Sequence, residues 1–137
     1  MSTAVSEVIH RFNHAFVAHD PRGFEALVGE ECVMEAIEPA PDGARYEGKA
    51  ACVAFWMQLI EDRSMQFTAE HIEVATDTAT IRWRLRFGPG AKDYIRGVNL
   101  MRVRDGRIVE ALGYGKTPAA DDSPLANVVD AEPSSEG

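Results

Sequence analysis

Arg96-Gly97-Val98-Asn99-Leu100-Met101-Arg102-Val103-Arg104-Asp105-Gly106-Arg107-Ile108-Val109-Glu110 reads as two β-strands folded back on each other at Asp105-Gly106. An Asp-Gly pair between β-forming runs favours a type I′ turn, which needs positive φ at both central residues and matches the twist of the flanking strands. Such a turn predicts the register on both sides of it. Ahead of the turn, alternation places Asn99, Met101 and Val103 on one face and Val98, Leu100, Arg102 and Arg104 on the other. The second face mixes apolar and basic side chains, which suits a partner surface better than plain solvent.

Upstream the period of two returns. Along Ile81-Arg82-Trp83-Arg84-Leu85-Arg86-Phe87 the alternation is nearly strict, so Ile81, Trp83, Leu85 and Phe87 share a buried face and three arginines take the other. Thr76-Asp77-Thr78 and Gly88-Pro89-Gly90 supply turns on either side. Residues 66–75, 79–87, 94–104 and 107–114 are therefore expected to form a four-strand antiparallel meander.

The N-terminal half carries a helical period instead. Val5, Val8, Ile9, Phe12 and Phe16 recur on one side, with His10, Arg11, Asn13 and His14 on the other, which predicts an amphipathic helix over 5–19. Asp20-Pro21 offers an N-cap followed by proline at the first helical position, predicting a short second helix through Phe24, Leu27 and Val28. Residues 32–37 read as a strand, and 38–45, with two prolines and Asp42-Gly43, as a loop. A third helix starts near Lys49 and runs through Val53, Phe55, Trp56 and Ile60 to Glu61-Asp62-Arg63.

A chain of 137 residues suits one domain with its own apolar core. Of the net charge of −8, five acids lie in residues 117–137, which hold no Lys or Arg, show no periodicity and read as a disordered tail. The weakly acidic remainder has no basic stretch, so counterion release gives it little affinity for nucleic acid or anionic lipid, and neither is an expected partner. No run approaches the ~18 apolar residues of a membrane span, and no charged start precedes an apolar run, so a cytoplasmic location is expected. Cys32 and Cys52 lack the spacing of a metal site or redox pair and read as small core residues; no metal or cofactor is expected.

Three helices, a strand between the second and third, and a closing meander are also a family order. With His19-Asp20-Pro21-Arg22-Gly23-Phe24-Glu25-Ala26-Leu27, with Arg45-Tyr46-Glu47-Gly48-Lys49 leading to Phe55-Trp56, and with the stretch 96–110, the chain resembles the SnoaL-like branch of the NTF2-like superfamily over about residues 5–116. That branch includes polyketide cyclases and is related to ketosteroid isomerases and limonene-epoxide hydrolases. The resemblance implies an α+β, cystatin-like cone, with three N-terminal helices packed on a curved antiparallel sheet, in a domain over 1–116. It further implies a pocket for a small hydrophobic molecule at the open end of the cone and a homodimer through the convex sheet face.

The chemistry of those relatives rests on groups that this sequence replaces. A ketosteroid isomerase uses a carboxylate base, a tyrosine and a protonated aspartic acid; the resemblance sets Ala36, Phe12 and Asn99 at those places. The last-strand carboxylate of the cyclases and epoxide hydrolases corresponds to Gly113, and the strand that carries an Arg and Asp pair in the latter offers Ile81 and Trp83. Two catalytic candidates remain. Glu38, on the strand face of Met34 and Ala36, is either a desolvated base at the pocket mouth or a solvated loop glutamate before Pro39. Asn99 is either a donor to an oxyanion or a satisfied core amide.

Phe12, Phe16, Met34, Trp56, Trp83 and Met101 are the candidate pocket wall, in a fold where one end of the core is normally open. His19 is expected to cap the first helix, His10, His14 and His71 to face solvent, and Tyr46 to pack the loop against the helices. The expected function is a cofactor-independent isomerase, cyclase or hydrolase acting on a hydrophobic oxygenated metabolite; the alternative is a noncatalytic binding protein for an apolar ligand.

Overall fold

In the computed structural model, which describes residues 2–117, Asp105 and Gly106 take φ of 53° and 76° and join β5 (Tyr94–Arg104) to β6 (Arg107–Lys116). The tail expected over 117–137 lies, beyond Thr117, outside the described residues. The turn has its expected form, but the register it sets does not persist. Arg104 pairs with Arg107 and Val103 with Ile108, whereas Arg102 pairs with Glu110, so Val109 is one residue too many and forms a β-bulge. Ile108 and Ala111 are consequently both buried, and Gly113 follows Ala111 on the inner side, opposite Asn99.

Upstream of β5 the meander continues through β4 (Thr78–Arg86) and β3 (Gln66–Val74). Two further strands extend the sheet past β6. These are β1 (Val28–Glu35) and β2 (Arg45–Glu47), giving the order β2-β1-β6-β5-β4-β3. β1 runs parallel to β6, so the sheet is mixed, not antiparallel throughout as expected. The expected loop over 38–45 is shorter than read, because Arg45 already pairs with Glu35.

Two α-helices, not three, cover the inner face: α1 (Ser2–Ala18) and α2 (Lys49–Glu61). The expected second helix fails at Gly23. Asp20 Oδ1 accepts from the Arg22 backbone N–H at 3.0 Å, as a cap would, but Gly23 then takes a φ of 77°, a left-handed conformation that cannot continue a helix. Only a single 3-10 turn, Glu25–Leu27, follows, and it buries Phe24 and Leu27. The rings of Phe12, Phe16, Phe24 and Trp56 pack at centroid distances of 4.9 to 5.9 Å, mostly edge-on or tilted, where ring quadrupoles attract.

His19 does more than end α1. Its φ is 54°, and its Nδ1 lies 2.9 Å from the Ile60 carbonyl oxygen in the last turn of α2. A carbonyl can only accept, so Nδ1 carries the proton and clasps one helix to the other. The expected cap on its own helix is thus a bridge between helices. Cys32 and Cys52 are both fully buried thiols, and burial, with the neighbouring Cys52, pushes Cys32 up to about 12.

Among the described residues no helix or strand covers the outer face of the sheet. Val98, Leu100, Leu112 and Tyr114 lie there, with Leu100 42% and Tyr114 55% exposed. A second bulge, at Glu70, brings its carboxylate within 3.2 Å of Arg84 and 3.0 Å of Arg96. Those guanidinium contacts, led by Arg96, hold the Glu70 carboxyl below its usual range. Phe87, read as a buried strand residue, lies just past the end of β4 and is 46% exposed.

Candidate functional site

The helices do not fill the space over the sheet, and a cavity of about 400 Å³ remains between them. Its helical wall comes from Phe12, Asn13 and Phe16 of α1 and from Phe55, Trp56 and Leu59 of α2. On the sheet side stand Ile81, Trp83 and Leu85 of β4, Ile95 and Asn99 of β5, and Ala111 and Gly113 of β6. Met34 of β1 and Ala36 just past its end close it on that side, and Glu38 stands at the rim. Much of the hollow is owed to small residues, since Ala36, Ala111 and Gly113 face it where larger side chains would fill it.

Phe12, Phe16, Met34, Trp56, Trp83, Glu38 and Asn99 thus all border one space. Met101 does not. It is buried to 2% opposite Ala79 and Ala111, in the packed core, because the two-residue step along β5 that keeps it on the inner face also carries it away from Asn99 and the hollow. Asn13 was assigned by its polarity to the far side of the helix, yet it is half-buried and borders the cavity. The available signal was its place one turn before Phe16 and next to Phe12, at the margin of the apolar face.

Two polar side chains define what the wall can do. Asn99 accepts at Oδ1 from the Trp83 indole N–H at 3.2 Å. Glu38 is exposed, so the desolvation required of a buried base is not provided by its surroundings, although its main chain is well anchored: its carbonyl accepts from the Ala44 N–H at 3.0 Å. The places that the resemblance assigns to catalytic side chains, Phe12, Ala36 and Gly113, do border the cavity, but as apolar surface. His10 and His14 stand one turn apart on α1, and among the described residues no group of three or more His, Cys, Asp or Glu could hold a metal ion.

The model of the SnoaL-like domain family matches residues 9–111. The chain belongs to the SnoaL-like domain family. Among solved structures, this SnoaL-like chain is 49% identical to an NTF2-like protein of unknown function from Mesorhizobium loti, with a TM-score of 0.80 over 85% of this chain and 93% of that one. Rv0760c from Mycobacterium tuberculosis is 25% identical, with a TM-score of 0.64 over 83% of this chain and 92% of that one. A candidate ketosteroid isomerase from Kribbella flavida is 15% identical, with a TM-score of 0.70 over 92% and 87%, and shares the fold. No curated protein matches the chain. The NTF2-like, cystatin-like fold with its curved sheet is therefore established.

Proposed function

We propose that this SnoaL-like protein holds a hydrophobic, oxygen-bearing metabolite in the cavity and acts on it without a cofactor, as an isomerase, cyclase or hydrolase. The supporting observation is an apolar hollow of about 400 Å³ with an amide, Asn99, set into its sheet wall and a carboxylate, Glu38, at its rim. Burial of apolar ligand surface supplies affinity. Asn99 donates to the ligand oxygen as negative charge grows there, and Glu38, exposed in the free protein and covered once ligand occupies the mouth, takes the proton from the adjacent carbon. Replacing Glu38 by Gln should abolish proton exchange at that carbon, followed by deuterium incorporation, with folding intact. An unchanged exchange rate overturns the assignment of Glu38.

The apolar identity of Phe12, Ala36 and Gly113 favours a second reading, a noncatalytic binding protein for an apolar ligand. Under it, ligand binds by titration while deuterium exchange stays at the buffer rate in the unaltered protein.

On either reading the protein acts in the cytoplasm as a homodimer through its convex face. The outer strip of Val98, Leu100, Leu112 and Tyr114, with Leu100 and Tyr114 exposed, supports this, because a two-fold pairing covers it. Light scattering at micromolar concentration checks the assembly, and a monomer there rules it out.

A further inference from the structure

We infer that Trp83 fixes the hydrogen-bonding polarity of Asn99, so that this wall selects a ligand presenting a bare acceptor, a carbonyl or its enolate oxygen; this rests on the reading of the cavity as a ligand site. An indole N–H donates and cannot accept. With Trp83 Nε1 3.2 Å from it, the Asn99 atom facing the indole must be the oxygen, since the flipped amide would set N–H against N–H and forfeit the bond. The polarity of an amide, otherwise ambiguous, is thereby determined by its partner.

What remains of Asn99 is a pair of donors on Nδ2. Among the described residues no group accepts from Nδ2, and this atom is not among the sealed, unpartnered ones, so it opens onto the cavity. Ile81, directly opposite Asn99 in the ladder, is apolar and offers that atom no acceptor.

The backbone is arranged to make that contact. Gly97 lies directly opposite Trp83 in the ladder, and a Cβ on it would stand 2.6 Å from Trp83 Cη2 and 2.8 Å from Cε2. Only glycine leaves room for the indole to lie across β5 toward Asn99. On the other flank of Asn99 is Gly113, where a Cβ would come within 3.4 Å of Oδ1 and 3.0 Å of the Glu35 carbonyl oxygen. Phe67 meets the indole edge-on at 5.8 Å and closes its remaining freedom. Trp83 is therefore a positioning residue: without its N–H the Asn99 amide could turn either end to the ligand and would discriminate little.

The test compares 2-acetylnaphthalene with 2-isopropenylnaphthalene, which has the same shape but carries a methylene where the ketone carries oxygen. Affinities come from calorimetric titration, and the ketone's carbonyl stretch from isotope-edited infrared difference spectra. The unaltered protein should prefer the ketone by about five- to ten-fold, the equilibrium equivalent of a net hydrogen bond, with the stretch at lower frequency than in hexane. Trp83→Phe should still bind the hydrocarbon but reduce the ketone preference to about two-fold or less, with the stretch moved back toward its hexane value. Asn99→Leu should do the same.

If Trp83→Phe keeps both the preference and the lowered stretch, Trp83 does not set the polarity. If the unaltered protein binds both probes equally, the inference fails while the cavity stands as a ligand site. If neither naphthalene binds, the ligand-site reading falls and takes this inference with it.

Discussion

Alanine at Gly97 isolates the tight seating of Trp83. The φ of Gly97 is outside the left-handed region, so its backbone accepts alanine and only the side-chain clash is introduced. A Cβ standing 2.6 Å from Trp83 Cη2 is about 1 Å inside the ~3.5–4.0 Å optimum of carbon pairs. The indole must retreat by about that distance, which stretches its 3.2 Å bond to Asn99 beyond hydrogen-bonding range. Overpacking costs typically 1–3 kcal/mol and the lost bond about 1 kcal/mol, together about 2–4 kcal/mol. For a domain of this size roughly 4 °C is lost per kcal/mol, so Tm should fall by about 8–16 °C. Phenylalanine at position 83 lacks the outlying Cζ2 and Cη2 atoms. In a Trp83→Phe background the same alanine should cost under about 1 kcal/mol, giving a coupling energy of about 1–3 kcal/mol in a double-mutant cycle read by thermal unfolding. Equal losses of Tm in the two backgrounds would refute the idea that the indole occupies the space above Gly97.

Three further outcomes are expected. The buried thiols of Cys32 and Cys52, with Cys32 pushed up to about 12, should resist an aromatic disulfide reagent at pH 8 in the native protein and react fully in urea; rapid native labelling contradicts their burial. Glu70 has a depressed folded value, so its stabilising ion pairs are present above its ordinary 4.5 and are lost as pH falls through the lower, folded one. Glu70→Gln should thus lower Tm at pH 7 and flatten the acid side of the stability profile, and an unaltered profile would show that the Arg84 and Arg96 contacts contribute nothing. Gly106→Ala, at a φ of 76° with nothing within 4 Å, should cost about 1 kcal/mol in urea unfolding through backbone conformation alone; a neutral result would mean that the turn relaxes to another type.

The parts of this molecule legible in its sequence are those governed by neighbours along the chain. Alternation over residues 81–86 gave the inner and outer faces of β4, and Asp105-Gly106 identified its hairpin, because both depend on side-chain direction and local φ. The pairing of β1 with β6 joins residues some eighty positions apart, such as Val28 with Ile108, and nothing local announces whether such strands run parallel. The second helix was misread because Asp20-Pro21 is a valid cap signal, but Gly23 behind it overrides the cap. Residue type alone pointed to several of the apolar side chains that border the cavity. Asn13 was missed and Met101 wrongly included because type does not tell where along an inward-facing row the packing gives out.

Val109 carries a consequence for shape. Had β6 kept step with β5 from the turn onward, Ile108 would be followed on the inner side by Glu110 and Leu112, and Ala111 and Gly113 would look outward. The space now empty would then hold a leucine side chain and a carboxylate with no cation provided for it. Parity along a single strand therefore separates a hollow protein from a filled one. The cargo space of such a cone can be opened or closed by one inserted residue, with every side chain around it left unchanged.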